Sequence, residues 1–473
     1  MIRTLEQDAE GYDLCIVGSG PAGLTIAAEL ARTRLRLCVL ESGAEGKSAF
    51  AYGLKKVLSR GLPVKPESRE RIFGGSGTVW GGLSAPLDPL DFESRPWSEG
   101  WTVAREELER YWREAQRYGF SAPEEFKNTG AFWKFGTLQE KLFVAVRPPY
   151  NFARLRPIFE RDGADLFLRA TVTGFVPSAE GSTPRVIEAV CKTEAGDTVR
   201  VRAQRFVLAA GGIENARLLL VSGLGNEHDQ VGRYFMNHPK GYAGRLRLRA
   251  PLPATSPYLP RSAGGRMMYA GLTLSESKRR EGGLLSSYVQ FEPDSKILAR
   301  YALALWRRLP AFASPLFNIL RPRTLRMRWY ADMEPQAENC VVLSGEKDTY
   351  GTPLPEVSYS LGPRDVETLR TLHAHLQEEV KTLGIGRLEG TADEVIASVY
   401  DDASHHLGAT RMGTDPRTSV VDSDGKVHTV SNVYVAGGSV FPTGGSANPT
   451  YTIVALAMRL AKHLERVSSG TIG

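Results

Sequence analysis

Cysteine is scarce in this chain. Four stand in 473 residues, Cys15, Cys38, Cys191 and Cys340, and no two form a C-x-x-C pair. That spacing excludes a disulfide framework or a zinc site as the organising principle. Cys15 and Cys38 lie inside apolar, strand-like runs, where a cysteine acts as a small buried hydrophobe. Long apolar runs are missing too: no stretch reaches the ~18 uninterrupted residues of a membrane span. The first residues, MIRTLEQDAEGYD, are polar and acidic and lack the apolar core of a secretory signal. A cytoplasmic, reduced setting is therefore expected. Nor is charge strongly of one sign, with 59 Lys and Arg against 53 Asp and Glu, net +6. That excess is mild and no nucleic-acid module accompanies it, so nucleic acid is not an expected partner. Internal repeats and low-complexity tracts are also absent. The hydrophobic share of 42% and charged share of 24% are ordinary globular values. A chain of this length exceeds a single core, and two packed lobes are expected.

Glycine, by contrast, is abundant and clustered. Residues 12–42 read YDLCIVGSGPAGLTIAAELARTRLRLCVLES. Leu14–Val17 is a short β-leaning run. Leu24, Ala27, Ala28 and Ala31 then recur at helical spacing, and Leu35–Leu40 is a second apolar run ending at Glu41. The turn between, Gly18-Ser19-Gly20-Pro21-Ala22-Gly23, spells G-x-G-x-x-G inside a βαβ unit. Gly18 permits the tight turn, Gly20 lets backbone approach a pyrophosphate, and Gly23 lets helix and strand close up. The helix N-terminus offers partial positive charge to phosphates. Glu41 falls where a ribose hydroxyl needs an acceptor. The unit predicts a bound dinucleotide without deciding between FAD and NAD.

Three more segments share this character. Residues 71–84, RIFGGSGTVWGGLS, hold five glycines and one Trp, which suits close backbone approach to a flat ligand. Residues 206–220, FVLAAGGIENARLLL, read as strand, glycine turn and helix. Residues 433–461 do the same, with VYVAGGS as the strand and NPTYTIVALAMRLA as the helix. Asn448 is a natural cap and Pro449 a natural first helical residue. This last segment is expected to fold back on the N-terminal sheet.

Taken in chain order, GSGPAG, GGSGTVWGG, AAGGIENARLL, HHLGATRMG and GGSVFPTGGSANPTYTIVALAMRLA resemble the glucose–methanol–choline (GMC) family of flavin oxidoreductases. They are most similar to its pyranose oxidase and bacterial glycoside dehydrogenase branch. The resemblance implies an α/β protein, α+β overall. Its Rossmann-type FAD-binding domain is discontinuous, over residues 1–95, 150–240 and 400–473. A substrate-binding domain with an antiparallel sheet and helices takes 96–149 and 241–399. The implied FAD contacts are Gly18, Gly20, Pro21, Ala22, Gly23, Glu41 and Ser42 in the first unit. Gly75, Ser76, Thr78, Val79, Trp80, Gly81 and Gly82 follow in the glycine-rich loop, then Val172, Ala210, Gly211 and Asn215. Gly438, Ser439, Asn448, Pro449 and Thr450 complete the set. In some pyranose oxidases a His just before the loop Trp joins the flavin covalently. Val79 holds that position here, so a non-covalent flavin is expected.

The resemblance places the catalytic base at His405 in Ser404-His405-His406-Leu407-Gly408, with His406 as the alternative. Asn448 matches the partner position. A neutral His405 would accept the proton of an alcohol, Asn448 would donate to the developing oxyanion, and hydride would pass to flavin N5. A carboxamide cannot exchange roles with His405, so a single base is expected, and His238 in GRYFMNHPKGY is read as structural. The implied substrate is a sugar, glycoside or cyclitol hydroxyl, with O2 or another electron acceptor. No metal is expected, and oligomeric state is left open.

In the middle of the chain Arg245–Leu248 alternates like a half-buried strand, and Met267–Tyr269 is a shorter strand candidate. Residues 295–330 carry Lys296, Arg300, Arg307, Arg308, Arg321, Arg323, Arg326 and Arg328 and no acidic residue. Leu298, Tyr301, Leu305, Trp306 and Leu309 recur near helical spacing. A membrane or partner surface is one reading. A lid or oligomer-facing insertion with a solvated Arg face is preferred, and membrane contact is not expected. Two rival functions remain: an NAD(P)-linked oxidoreductase and a catalytically silent flavoprotein. A second nucleotide unit would be needed for FAD plus NAD(P). The nearest run, Gly384–Gly390, follows a helical pattern and has the wrong glycine spacing.

Overall fold

The computed structural model of the protein describes residues 1–127, 132–146, 150–160, 164–178, 183–252, 256–263, 266–294 and 323–469. It is mixed α/β, with two eight-stranded sheets and one of three strands among the described residues.

The first sheet is parallel through its centre. Ile2–Thr4, Ala164–Leu168, Leu37–Leu40, Ala9–Val17 and Thr198–Leu208 lie side by side in that order. Leu14, Cys15, Ile16 and Val17 are all buried, as are Leu37, Cys38, Val39 and Leu40. A continuous apolar run, rather than alternation, is what a strand covered on both faces requires. The long strand Thr198–Leu208 divides its far edge. Its first half pairs antiparallel with Val186–Lys192, and its last three residues pair parallel with Val433–Val435. This second pairing draws the C-terminal segment back to the N-terminal sheet. The helix Thr450–Ser468 then packs against the helix Pro21–Leu30.

The second sheet is antiparallel. Its order is Gly386–Glu389, Lys240–Leu248, Thr324–Tyr330, Tyr288–Pro293, Arg266–Leu274, Leu138–Ala145, Leu83–Ser84. One face is apolar: Val289, Phe291, Met327 and Trp329 meet Leu369, Leu372 and Leu376 of the helix Pro363–Thr382 in a core of their own. The other face carries Tyr288, Tyr330, Arg328 and Lys240. The strand expected at Arg245–Leu248 spans Lys240–Leu248, and that at Met267–Tyr269 spans Arg266–Leu274.

Some segments pack across the two sheets' cores. Cys340–Lys347 and Pro353–Tyr359, expected in the substrate domain, form a hairpin that pairs with Leu58–Gly61. Its Val341, Val357 and Tyr359 enter the core of the first sheet. The helix Arg105–Glu114, also expected in the substrate domain, sets Leu108 and Trp112 at i and i+4 into that core, where Trp112 stacks on Tyr451 at 5.8 Å. The basic stretch is described only from residue 323. There, Thr324–Tyr330 is a strand, with Arg326 and Arg328 sharing Glu292. Its reading over 295–322 lies outside the described residues. Among the described residues no helix is long and apolar enough to cross a membrane. The run Gly384–Gly390 connects a helix to the edge strand Gly386–Glu389, the reverse of a nucleotide turn.

Candidate active site

A cleft of about 440 Å³ opens along the carboxyl ends of the parallel strands, the edge where such sheets bind ligands. The turn after Ala9–Val17 forms its floor. Gly18 has φ +104, and a Cβ there would lie 2.6 Å from Ala209 O. A Cβ on Gly23 would lie 2.0 Å from Gly18 O, so only glycine lets the helix sit this close. At Gly20 the opposite holds: nothing stands within 4 Å of a Cβ, and the same is true at Gly81 and Gly211. All three line the cleft. The helix starting at Pro21 has no side-chain cap, which leaves its first N–H groups for a ligand.

Glu41 stands at one end. Its Oε2 accepts from Ser19 N at 3.1 Å and Ser19 Oγ at 2.5 Å, and its Oε1 from Gly43 N at 2.7 Å. Burial pushes this carboxyl up despite those bonds. Beside it Arg71 Nη1 donates to Ser42 Oγ at 3.1 Å. Arg69, Arg71 and Arg217 surround Glu214, and burial pulls Arg69 down to about 10. Lys55, Arg69 and Arg71 line the cleft together with Glu67, Glu70 and Glu214, a wall of paired charges whose ammonium and guanidinium groups can still donate to an anionic ligand. Empty space over Gly20, Gly81 and Gly211, free helix N–H groups, a buried carboxylate and this wall together fit FAD.

The glycine-rich loop closes the cleft's middle. Gly75–Thr78 is a short 3-10 turn. Trp80 donates from Nε1 to Tyr150 O at 2.8 Å and leans on Phe120 and Phe152. Val79 is 48% exposed beside it. The loop runs directly into Leu83–Ser84, the edge of the second sheet, so both sheets meet here.

The histidine segment lies at the other end. Met236 and Leu407 exchange backbone hydrogen bonds at 3.0 and 2.9 Å, and Asn237 Oδ1 accepts from the backbone N of His238 and of His405. Asn237 Nδ2 also donates to Asp402 Oδ1 at 2.7 Å. Ser404 is held at φ +67, a costly conformation for a side-chain-bearing residue, one position before His405. His405 Nε2 is 3.4 Å from Asn448 Nδ2, and both residues line the cleft. Burial, followed by the nearby charges of His238 and Lys240, holds His405 well below the usual imidazole range. His406 also lines the cleft but is engaged by other partners. Its Nε2 lies 3.5 Å from Asp402 Oδ2 and 3.4 Å from Ser68 Oγ. Although burial opposes it, contact with His406 helps keep the Asp402 carboxyl far below its usual range.

Most of the residues expected at the cofactor line this cleft: Gly18, Gly20, Pro21, Ala22, Glu41, Ser42, Gly75, Ser76, Val79–Gly82, Val172, Ala210, Gly211, Gly438, Asn448, Pro449 and Thr450. Gly23, Thr78, Asn215 and Ser439 stand behind the wall. Thr78 Oγ1 donates to Gly75 O at 2.9 Å. Asn215 accepts from Ala210 N and donates to Ala436 O and Ser439 Oγ, tying the two glycine turns together. The expected helix start shifts by one residue. Pro449 is the cap position, the helix begins at Thr450, and the Asn448 amide faces His405 instead of capping. Ser68, Arg69, Lys55 and Glu214 were missed. The cluster Glu67–Arg71 just before the glycine-rich loop was their one visible signal.

Family models match this chain over residues 13–457. The family described as FAD dependent oxidoreductase matches residues 13–345, and GMC oxidoreductase matches 335–457. The fructose dehydrogenase large subunit of Gluconobacter japonicus is 31% identical over 55% of this chain and 47% of its own length. Paromamine 6'-oxidase of Streptomyces fradiae is 32% identical over 60% and 49%. In these two, the match spans about half of the relative's length. The 2-methyl-1,2-propanediol dehydrogenase of Mycolicibacterium austroafricanum is 25% identical over 97% and 96%. Pyridoxine 4-oxidase from Mesorbium loti shares the fold, with TM-score 0.60, 17% identity and coverage of 96% and 99%.

Proposed function

Since the chain belongs to the FAD-dependent oxidoreductases and ends in a GMC oxidoreductase domain, we propose that it oxidises an alcohol carbon of a sugar, glycoside or cyclitol to a carbonyl. The observation that carries this is the convergence of His405 Nε2 and Asn448 Nδ2, 3.4 Å apart, on one end of the FAD-shaped cleft. Fructose, paromamine and the propanediol of the relatives' names all bear hydroxyls, which supports the substrate class.

Gly20, Pro21, Glu41, Arg71, Trp80, Gly81 and Gly211 would hold FAD non-covalently, since Val79 offers no nucleophile to the ring. When bound, FAD supplies the hydride acceptor at N5. His405 supplies the base. Held neutral by its burial, it presents a bare nitrogen to the substrate hydroxyl and takes its proton. Asn448 Nδ2 donates to the same oxygen as charge develops on it. The 3.4 Å separation is long for a direct bond and leaves the two groups free to share that oxygen. His406 is committed to Asp402 and Ser68, which favours His405 as the base. A single nucleotide unit among the described residues disfavours FAD plus NAD(P), the FAD dependent oxidoreductase match over residues 13–345 disfavours NAD(P) alone, and the intact His405–Asn448 pair disfavours a silent flavoprotein.

The test is an anaerobic panel of sugars, glycosides, cyclitols and diols, followed by visible absorbance. Bleaching of the flavin band by one of them is expected, and readmitted air then shows whether O2 is the acceptor. A flavin that none of these alcohols reduces contradicts the proposal.

A further inference from the structure

Behind His405 stands a second imidazole that the alcohol-oxidation reading does not use. His238, 3% exposed, precedes the strand Lys240–Leu248. Its Nδ1 lies 2.8 Å from His405 Nδ1, with the rings at 82°. Its Nε2 lies 2.6 Å from Gly445 O. A carbonyl oxygen only accepts, so Nε2 of His238 carries a hydrogen. Burial pulls His238 down to about 4, so at neutral pH the ring holds a single hydrogen, already committed to Gly445. Nδ1 of His238 is then a bare lone pair. The 2.8 Å contact closes only if His405 donates from Nδ1. His405 is neutral as well, so its Nε2 is bare, and this is the nitrogen beside Asn448 at the cleft. One backbone carbonyl thus fixes the hydrogen position on two rings in succession.

We propose that His238 is the positioning half of a two-histidine base: it holds His405 in the tautomer whose Nε2 faces the cleft, and it takes the His405 Nδ1 proton when Nε2 accepts one from the substrate. This rests on the alcohol-oxidation reading and deepens it. In the step the hydroxyl O–H bond breaks and an N–H bond forms at His405 Nε2. The N–H bond at His405 Nδ1 breaks and one forms at His238 Nδ1. His405 ends neutral in its other tautomer, and the positive charge rests on His238. The hydride leaves the same carbon for the family's cofactor, so substrate charge balances.

The charge gains from moving. At His405 it would face Lys240, whose charge, like that of His238, opposes protonation there, while Asp402 favours it and His406 does not. At His238 it faces the Gly445 carbonyl, and Lys141 opposes it. A carboxyl also stands close by. A Cβ on Gly444 would lie 3.1 Å from Asp332 Oδ1 and 3.3 Å from His238 Nε2, and Asp332 Oδ1 has no hydrogen-bond partner. Burial, then Asp91, pushes the Asp332 carboxyl well above its usual range.

The experiment is ¹H–¹⁵N long-range correlation on the FAD-loaded full chain labelled at histidine, between pH 6 and 8, for wild type, His238→Leu and His238→Asn. Wild type is expected to show His405 protonated at Nδ1 and bare at Nε2. His238→Leu frees the ring and gives a tautomer mixture. His238→Asn, whose Oδ1 replaces the lost acceptor, restores Nδ1–H. With whichever polyol bleaches the flavin, His238→Leu slows reduction by ~10²-fold or more and His238→Asn recovers part of that. A wild-type His405 protonated at Nε2 overturns the proposal, and so does His238→Leu reducing at the wild-type rate. If His238→Leu does not fold, the wild-type and His238→Asn spectra still decide. The spectrum needs no substrate: Nδ1–H on His405 in a protein that no alcohol reduces supports the histidine pair and counts against the function.

Discussion

The two large sheets meet at one cleft but serve it differently. The parallel sheet's side of the cleft is lined with backbone, through the turns at Gly18–Ala22, Gly75–Gly82 and Gly211–Gly212. The antiparallel sheet presents side chains on the face opposite its apolar core: Tyr330 stacked on Tyr288 at 4.5 Å, Arg328 over Tyr330, and Lys240 in register with Tyr330. A surface built from backbone must exclude side chains, so its residue types are forced. A surface built from side chains can be assembled from many residue types at any spacing.

The largest effect should come from breaking the backbone surface. Gly20→Val keeps an ordinary φ of −74 and its Cβ has no protein atom within 4 Å, so the chain should fold yet purify without flavin. Flavin retained at the wild-type level would contradict the assignment of that space. His405→Ala should keep its flavin and slow its anaerobic reduction by ~10²-fold or more, read by stopped-flow bleaching. Asn448→Ala should cost about 10²-fold in the same measurement, the usual worth of one oxyanion donor. These two separate chemistry from cofactor holding, and lost flavin in either would blur the comparison.

That contrast also explains what the sequence made legible. Gly18 and Gly23 were readable because a Cβ at either collides with backbone, so no other residue could stand there. The C-terminal return was readable because Val433–Val435 and the helix after it repeat the strand–turn–helix pattern. His405 and Asn448 came through family resemblance rather than pattern. His238 did not, because its role depends on Gly445, 207 positions away, and on a ring-to-ring contact that no local spacing encodes. The Arg69–Arg71–Glu214–Arg217 cluster escaped for the same reason. The packing of the hairpin Cys340–Tyr359 into the first sheet's core was not legible, because its strand pattern does not say which core it enters.

Smaller effects sharpen the comparison at its margins. Glu41→Gln should weaken FAD binding by roughly tenfold, the value of a hydrogen bond to a charged acceptor, measured by flavin titration. Unchanged affinity would remove Glu41 from the cofactor site. Lys240→Met should leave FAD binding alone and act on pH dependence. The Lys240 charge lowers the proton affinity of His405. Removing it raises that affinity, so the acid limb of flavin reduction should move to higher pH. A shift to lower pH would mean that Lys240 acts elsewhere.

The most direct measurement is the absorption spectrum of the purified protein, before and after denaturation. A yellow protein that releases its flavin into solution on unfolding is the predicted result. It would show FAD held without a covalent bond, as Val79 requires. A colourless protein that takes up no added FAD would contradict the account at its centre.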